Sequence, residues 1–470
     1  RAALALEPGF YMARYRLAHV LAAMGRTDDA LAALDGIPDS APTTKRERFY
    51  IDGARALIAR DYESAKREYL ALLEEFPYEV EARQFLAEVY DLEWNDEAAL
   101  GQILILAGQE PENPTVWIDL GETYLRLGQL DEADQAMQRY LALLPLDPHG
   151  YTVLGELLRV EGSYAAASEH LVHALEINPG FHPARLALAQ IFVLDGNEGE
   201  AERLLREVVD DATAIPAEKI DAGLALSSVL RAQGRFGESA SLLERLEPDL
   251  RVEEIREAKA LAIRGLDRLE LGEPGRAEEL IDLSIERTPT VPTRYLFAKG
   301  LLQLAREDLG GVRETAARIR THAPPPEEQD FTEAKAAAYL DGMASLLSGD
   351  AEKAIRTLRE VIQPDGYVYP YAVYELGLAR ALSAAGRQSE AARLAATAAT
   401  ERDAVDPRLD LELDRVRALL VEAEILAAAG DLEGAAEQAT AFLDRFTGAP
   451  QDHPDVVRAR QLGGRVSSRR

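Results

Sequence analysis

A rhythm of 34 residues constrains this chain more than any other feature. Trp117, Leu120, Gly121, Tyr124, Gly128, Ala133, Met137, Tyr140 and Pro145 set out a pattern: an aromatic, a leucine–glycine pair, a second aromatic, a glycine turn, an alanine, a large apolar residue, a third aromatic and a closing proline. Tyr151, Leu154, Gly155, Leu158, Gly162, Ala167, Leu171, Ala174 and Pro179 repeat the same spacing 34 residues later. Such a unit reads as two antiparallel helices joined by a tight turn, and one unit alone cannot bury its apolar face. Stacking buries it and leaves an extended concave side, which is a binding device and not a catalytic cavity.

The small residue where the second helix crosses the first recurs as Ala30, Ala65, Ala99, Ala133, Ala167, Ala201, Ser239, Ala277, Val312, Ala354, Ala391 and Ala435. Twelve units fit, evenly spaced at first and looser after Ala201. Five residues ahead of each marker falls the turn, at Gly25, Arg60, Trp94, Gly128, Gly162, Gly196, Gly234, Gly272, Glu307, Gly349, Gly386 and Gly430. Glycine suits a helix that ends in a left-handed cap, so Arg60, Trp94 and Glu307 are expected to close by another geometry. Pro77, Pro111, Pro145, Pro179 and Pro289 fall between units, where a second helix must stop. No long stretch alternates with period two, so the predicted fold is all-α, a superhelix of about twelve repeats.

Four parts are expected: regular repeats over 1–212 with a truncated first unit, looser repeats over 213–322, C-terminal repeats over 323–462, and a disordered tail at 463–470. Extra length sits at Thr213–Lys219, Ala323–Gln329, Pro364–Pro370 and Arg402–Arg408. Three consecutive prolines make Ala323–Gln329 the predicted hinge. The opening Ala3–Pro8 (ALALEP) reads as the tail of a repeat whose first half is missing.

The motif W-x2-L-G-x2-Y with its turn, alanine and proline resembles the tetratricopeptide repeat, over nearly the whole chain and most closely from Phe49 to Val208. A second resemblance, in Thr44–Leu73 and Tyr374–Arg387, is to the repeat regions attached to bacterial eukaryotic-like Ser/Thr kinases and adenylate cyclases. It implies a context in a larger protein and no activity.

Composition narrows the partner. Lys plus Arg number 52 against 82 Asp plus Glu, a net charge of −30. That field repels phosphate backbones and anionic lipid, so nucleic-acid binding and membrane association are disfavoured and a basic protein or peptide fits better. There is no cysteine, hence no disulfide, thiolate zinc site or cysteine nucleophile. No run of about 18 apolar residues offers a membrane span. The compartment stays open, with the cytoplasm slightly ahead of the periplasm.

The search for chemistry finds none. Phosphate loops, the G-x-S-x-G elbow and kinase signatures are missing. Asp195–Glu200 (DGNEGE) imitates a calcium loop, but its glycine is one place early and Arg206 stands where a glutamate is needed. His170 and His173 share a helix face with no third ligand evident and read as surface histidines. Tyr367, Tyr369, Tyr371 and Tyr374 read as helix-entry packing around Pro370. No metal, cofactor or catalytic residue is expected.

The family resemblance implies that the first helix of each repeat lines the groove. The inward positions then include Tyr15, His19, Tyr50, Gln84, Glu88, Asp91, Glu122, Glu156, Arg159 and Gln190. The lysine and asparagine of a carboxylate clamp are missing there, whereas Glu88, Glu122 and Glu156 recur at intervals of 34. The leading expectation is a non-catalytic scaffold that binds a protein or peptide segment, probed by charge. An assembly protein that packs on copies of itself through its ends or convex face is the alternative. An enzyme built on the repeat scaffold comes last.

Overall fold

In a computed structural model, residues 4, 7, 9–24, 26–38, 40–93, 95–250, 254–288, 293–322, 332–362, 372–400 and 411–467 are described. Every regular element among them is a helix. Twelve antiparallel pairs succeed one another. The first six are Tyr11–Ala23 with Thr27–Asp35, Lys45–Ile58 with Tyr62–Glu75, Val80–Leu92 with Asp96–Gln109, Pro114–Arg126 with Leu130–Leu143, Pro148–Val160 with Tyr164–Ile177, and His182–Leu194 with Glu198–Asp210. Three more are Pro216–Ala232 with Phe236–Arg245, Glu254–Glu270 with Pro274–Arg287, and Thr293–Ala305 with Leu309–His322. The last are Thr332–Leu347 with Ala351–Ile362, Ala372–Ala384 with Gln388–Thr400, and Leu411–Ala429 with Leu432–Arg445. A short helix, Glu247–Leu250, interrupts the series, and Pro454–Ser467 follows it.

One backbone device makes all twelve hairpins. The N–H three residues past the first helix donates to the carbonyl five residues back, as in Gln129 to Tyr124 (2.9 Å), Asp61 to Ala56 (2.9 Å) and Asp308 to Gln303 (2.9 Å). This is the Schellman closure, and it needs a left-handed residue just after the helix. Gly128 supplies it with φ of 70°. Arg60 and Glu307 supply it too, at 59° and 57°. The expectation of a different turn at those two positions is therefore corrected: stacking forces the left-handed conformation on residues that rarely adopt it. Gly25 and Trp94 lie outside the described residues, yet their neighbours Arg26 and Asn95 make the same bond, both at 2.9 Å.

All twelve small markers are 0–1% exposed. The fit is tight on both sides, since a Cβ on Gly155 would lie 2.7 Å from Leu171 Cγ. In the fourth and fifth repeats the opening aromatic of the motif ties the first helix to the preceding loop: Trp117 Nε1 donates to the Pro111 carbonyl (2.9 Å) and Tyr151 Oη to that of Pro145 (3.1 Å). Helix starts follow capping chemistry. Thr44 and Glu47 bond reciprocally, while the side chains of Asp61, Asn95, Asn113 and Asp147 accept from the first-turn backbone.

The chain divides into two compact units, residues 1–184 and 185–470. The final helix runs on to Ser467, past the place where a disordered tail was expected to begin. The expected hinge Ala323–Gln329, the loops Pro364–Pro370 and Arg402–Arg408, Pro289, and Tyr367, Tyr369 and Tyr371 lie outside the described residues, as does most of Ala3–Pro8.

Candidate functional site

The positions expected to face inward lie ten, six and three residues before the left-handed turn. In the first unit they carry mostly polar side chains. Tyr15 and Tyr50 are not free probes, being 0% and 4% exposed. Tyr15 Oη reaches Glu81 at 3.4 Å and Tyr50 Oη donates to Glu79 at 2.9 Å. Arg16 Nη2 closes on Glu81 (2.9 Å), and Arg46 on Glu79. His19 packs edge-on against Tyr15 (4.6 Å) and stacks on Phe85 (4.8 Å), and burial lowers its pKa. The first two repeats thus present an aromatic wall with neutralised acids.

The third to fifth repeats are different. Gln84 is half-buried there, and Glu88 and Asp91 are exposed. Asp91 pairs with Arg126, which also donates to Asp96 at 2.7 Å. Glu122 meets His149 Nε2 at 3.1 Å, and Glu156 accepts from Arg159 Nε at 2.7 Å. Three of the acids expected to line the groove are therefore partnered within the protein. Glu88 and Asp119 make no ion pair among the described residues. Burial, then the charges of Glu122 and Asp91, push the Asp119 carboxyl up to about 6 against the pull of Arg126 and His149. Glu88 is raised by burial and by Asp91. The bond to Glu122, outweighing desolvation, raises His149.

Sequence reasoning missed Asp119, Glu79, Glu81, Phe85 and the three cations Arg16, Arg46 and Arg126. Asp119 sits one residue away from an inward position, and the cations act across one or two repeats. Gln190 lies exposed on His182–Leu194, within the second unit.

The same register read along the second unit gives Leu224, Ala262, Phe297, Tyr339, Leu376 and Leu420 at the first inward position. All but the half-buried Phe297 are 0–7% exposed. Tyr374 packs among these rings, 5.4 Å from Tyr339 and 6.1 Å from Phe297. Arg231, at the third inward position of the seventh repeat, is 1% exposed and donates to Asp267 (2.8 Å) and the Ile263 carbonyl (3.0 Å). Ser239 donates to the other Asp267 oxygen at 2.7 Å, which explains why the small marker here is serine. Repeats seven and eight then meet the chain's own C-terminal part. Arg417 bridges Glu270 (2.7 Å) and Asp455 (3.0 Å), Phe236 packs on Phe446 (5.9 Å) and His453 (5.8 Å), and Gly448 N donates to the Gln233 carbonyl (2.8 Å).

The imitation calcium loop is a helix–helix turn: Gly196 has φ of 79° and Asn197 caps the next helix through the Glu200 N–H. His170 and His173 flank the Tyr151 ring at 6.2 and 4.5 Å, and His173 also bonds Glu176. Among the described residues no group of His, Asp or Glu is disposed to hold a metal, and no helix is long and apolar enough to cross a membrane.

Family models fit this repeat pattern. Tetratricopeptide-repeat family models match residues 1–47, 97–157, 158–214 and 416–439. No curated protein matches. Among solved structures, the chain is similar to a tetratricopeptide repeat protein from Parabacteroides merdae at 17% identity, covering 52% of this chain and 93% of that one with a TM-score of 0.40. PilW, a type IV pilus biogenesis factor, matches at 20% identity over 45% and 94%, with a TM-score of 0.37. The MamA protein matches at 20% identity over 36% and 97%, with a TM-score of 0.32.

Proposed function

Because the chain is built from tetratricopeptide repeats, we propose that it is a non-catalytic scaffold whose first unit binds a basic protein segment along its inner face. Repeats of this kind serve protein interaction in general, and the charge pattern supports the choice of partner. One observation carries the reading: Glu88 and Asp119, two carboxylates of neighbouring repeats, make no ion pair among the described residues, on an otherwise internally paired wall. A Lys or Arg side chain entering there offsets the repulsion from neighbouring acids that, after burial, raises both pKa values, and it extends the pattern set by Arg126 with Asp91. His19, Gln84, Asp91, Glu122, Glu156 and Arg159 form the rest of the proposed surface, over the buried Tyr15 and Tyr50.

The test is a pull-down from the source cell with wild-type protein and with Glu88→Lys, Glu122→Lys, Glu156→Lys combined. The triple variant retains its helix content and loses the salt-sensitive partners. Recovery of the same partners in equal amounts would remove the inner face from consideration. A second reading, assembly through the outer face, has its own observation. Leu70 and Leu104 stand 34 residues apart on second helices, Val172 follows 68 residues later, and they are 47%, 47% and 44% exposed. Concentration-dependent sedimentation that Leu104→Glu abolishes would favour it.

A further inference from the structure

The second helix of the seventh repeat stops early. Phe236–Arg245 runs 10 residues, against 13 and 14 in the repeats before and after it, and the chain then enters the single-turn helix Glu247–Leu250. Between that short helix and the hairpin of the eighth repeat lies a cavity of about 440 Å³. Its apolar lining is Leu250, Leu261 and Leu280, which are 2–6% exposed, and Leu283, which is 37% exposed. Eight residues before the turn, repeats three to seven carry Leu86, Leu120, Leu154, Leu188 and Leu226, all 0–8% exposed. The eighth repeat places Arg264 there, 7% exposed and lining the cavity. A charge in this register is elsewhere closed by the preceding second helix. In the ninth repeat Lys299 takes the place and donates to Asp282 (2.7 Å) and Glu278 (2.9 Å). In the tenth, Asp341 pairs with Arg320. Arg264 finds its acids only at 3.2 Å (Glu244) and 3.5 Å (Glu247), at and beyond the long end of a hydrogen bond. The helix that would carry a carboxylate over it has already ended at Arg245.

We propose that this cavity binds a small apolar monocarboxylate, with its carboxylate on Arg264 and its hydrocarbon body against Leu250, Leu261, Leu280 and Leu283. A guanidinium offers five N–H donors in a fork that matches a planar carboxylate, and burial strengthens such a pair. Arg276 and Arg287 add cations from the second helix of the eighth repeat. Arg276 closes on Glu279 at 2.6 Å, whereas Arg287 meets Glu257 only at 3.5 Å. Glu247 and Glu257 also line the cavity and oppose a second negative charge, which selects against phosphates and dicarboxylates. The volume lies within the roughly 300–1,000 Å³ of small-ligand sites. The site belongs to the second unit and is independent of the first unit's inner face.

The experiment titrates hexanoate, its neutral amide and hexylamine into the 470-residue chain by calorimetry. Hexanoate should bind at least about tenfold more tightly than either control, because a charge-assisted pair outweighs a neutral contact. Arg264→Leu restores the leucine of repeats three to seven, keeps the fold and loses that preference. Leu283→Trp fills the cavity without touching the guanidinium and weakens hexanoate by a similar factor. Where Arg264→Leu disturbs the fold, the Leu283→Trp arm decides alone. Equal binding of hexanoate and its amide overturns the proposal. So does the absence of binding by all three compounds, or hexanoate binding that survives Leu283→Trp unchanged.

Discussion

Repeats three to five and repeats seven to twelve share one backbone plan and treat its inner face in opposite ways. In the first unit the expected inward positions include charged groups near solvent, with Glu88 exposed, Asp91 on Arg126 and Glu122 on His149. In the second that face is built from Leu224, Tyr339, Leu376 and Leu420 and is covered. The helices Pro216–Ala232 and Leu411–Ala429 are nearly 200 residues apart in sequence and pack together, with Phe236, Phe442, Phe446 and Val456 in one cluster. A repeat that touches only its neighbours answers a mutation locally, whereas a repeat series that meets its own end answers as a whole. The same plan thus yields an adaptable surface in one unit and a locked body in the other.

The largest expected effect tests the lock. Phe446→Ala removes a 2% exposed ring and should cost about 3–5 kcal/mol. Hydrogen exchange should accelerate together in 216–245 and 411–467. Acceleration confined to the C-terminal helices would break the comparison. Its counterpart in the first unit is Ala133→Leu, which overpacks a 0% exposed crossing and should cost about 1–3 kcal/mol. Weakening should stay within about one repeat on either side, over residues 115–145. Loss of protection throughout the first unit would show that its repeats are as cooperative as the second unit's.

Acidification should separate the units by sign. Asp119, at about 6, and His149, held above its ordinary value by Glu122, both bind a proton more tightly in the folded state. Each therefore favours the fold more as pH falls from about 8 to 5. In the second unit burial alone would raise Glu270 and Asp455, but Arg417, with His453 on Glu270 and Arg458 on Asp455, holds both below the ordinary carboxylate range. Their contribution is present at neutral pH and lost only below about pH 4. Both tryptophans, Trp94 and Trp117, lie within residues 1–184, so their fluorescence follows the first unit. Its melting temperature should rise from pH 8 to 5.5, and Asp119→Asn should remove most of that rise by stabilising the protein at pH 8. A flat profile would mean that Asp119 is solvated as an ordinary carboxylate.

The smallest effect sharpens the difference in surface. Glu88→Lys, at an exposed site, should change stability by less than about 1 kcal/mol. Its effect should appear in partner binding and in the salt dependence of that binding.

Most of the architecture was legible in the residues. The crossing markers and turns predicted all twelve hairpins, because a glycine or alanine at a crossing leaves a signature that no other packing requires. Arg60 and Glu307 were misread as departures, since residue type suggests a backbone conformation but stacking imposes it. The site was legible in part. Periodicity placed Glu88, Glu122 and Glu156 on one face, yet it could not show that His149 and Arg159 already engage two of them. The His149 bond depends on side-chain reach between helices, whereas Arg159 lies three residues from Glu156 on one helix.

What the sequence determined by itself is the repeated unit, because helix periodicity, turn geometry and the small crossing residue act within some 34 residues. Only the tertiary structure decided which inner face is open. Arg417 with Glu270 is a contact across 147 residues, and Arg445 with Glu198 one across 247. Small angles between successive repeats add up along the stack to bring such pairs together. That sum is a property of the accumulated packing, and no single repeat encodes it.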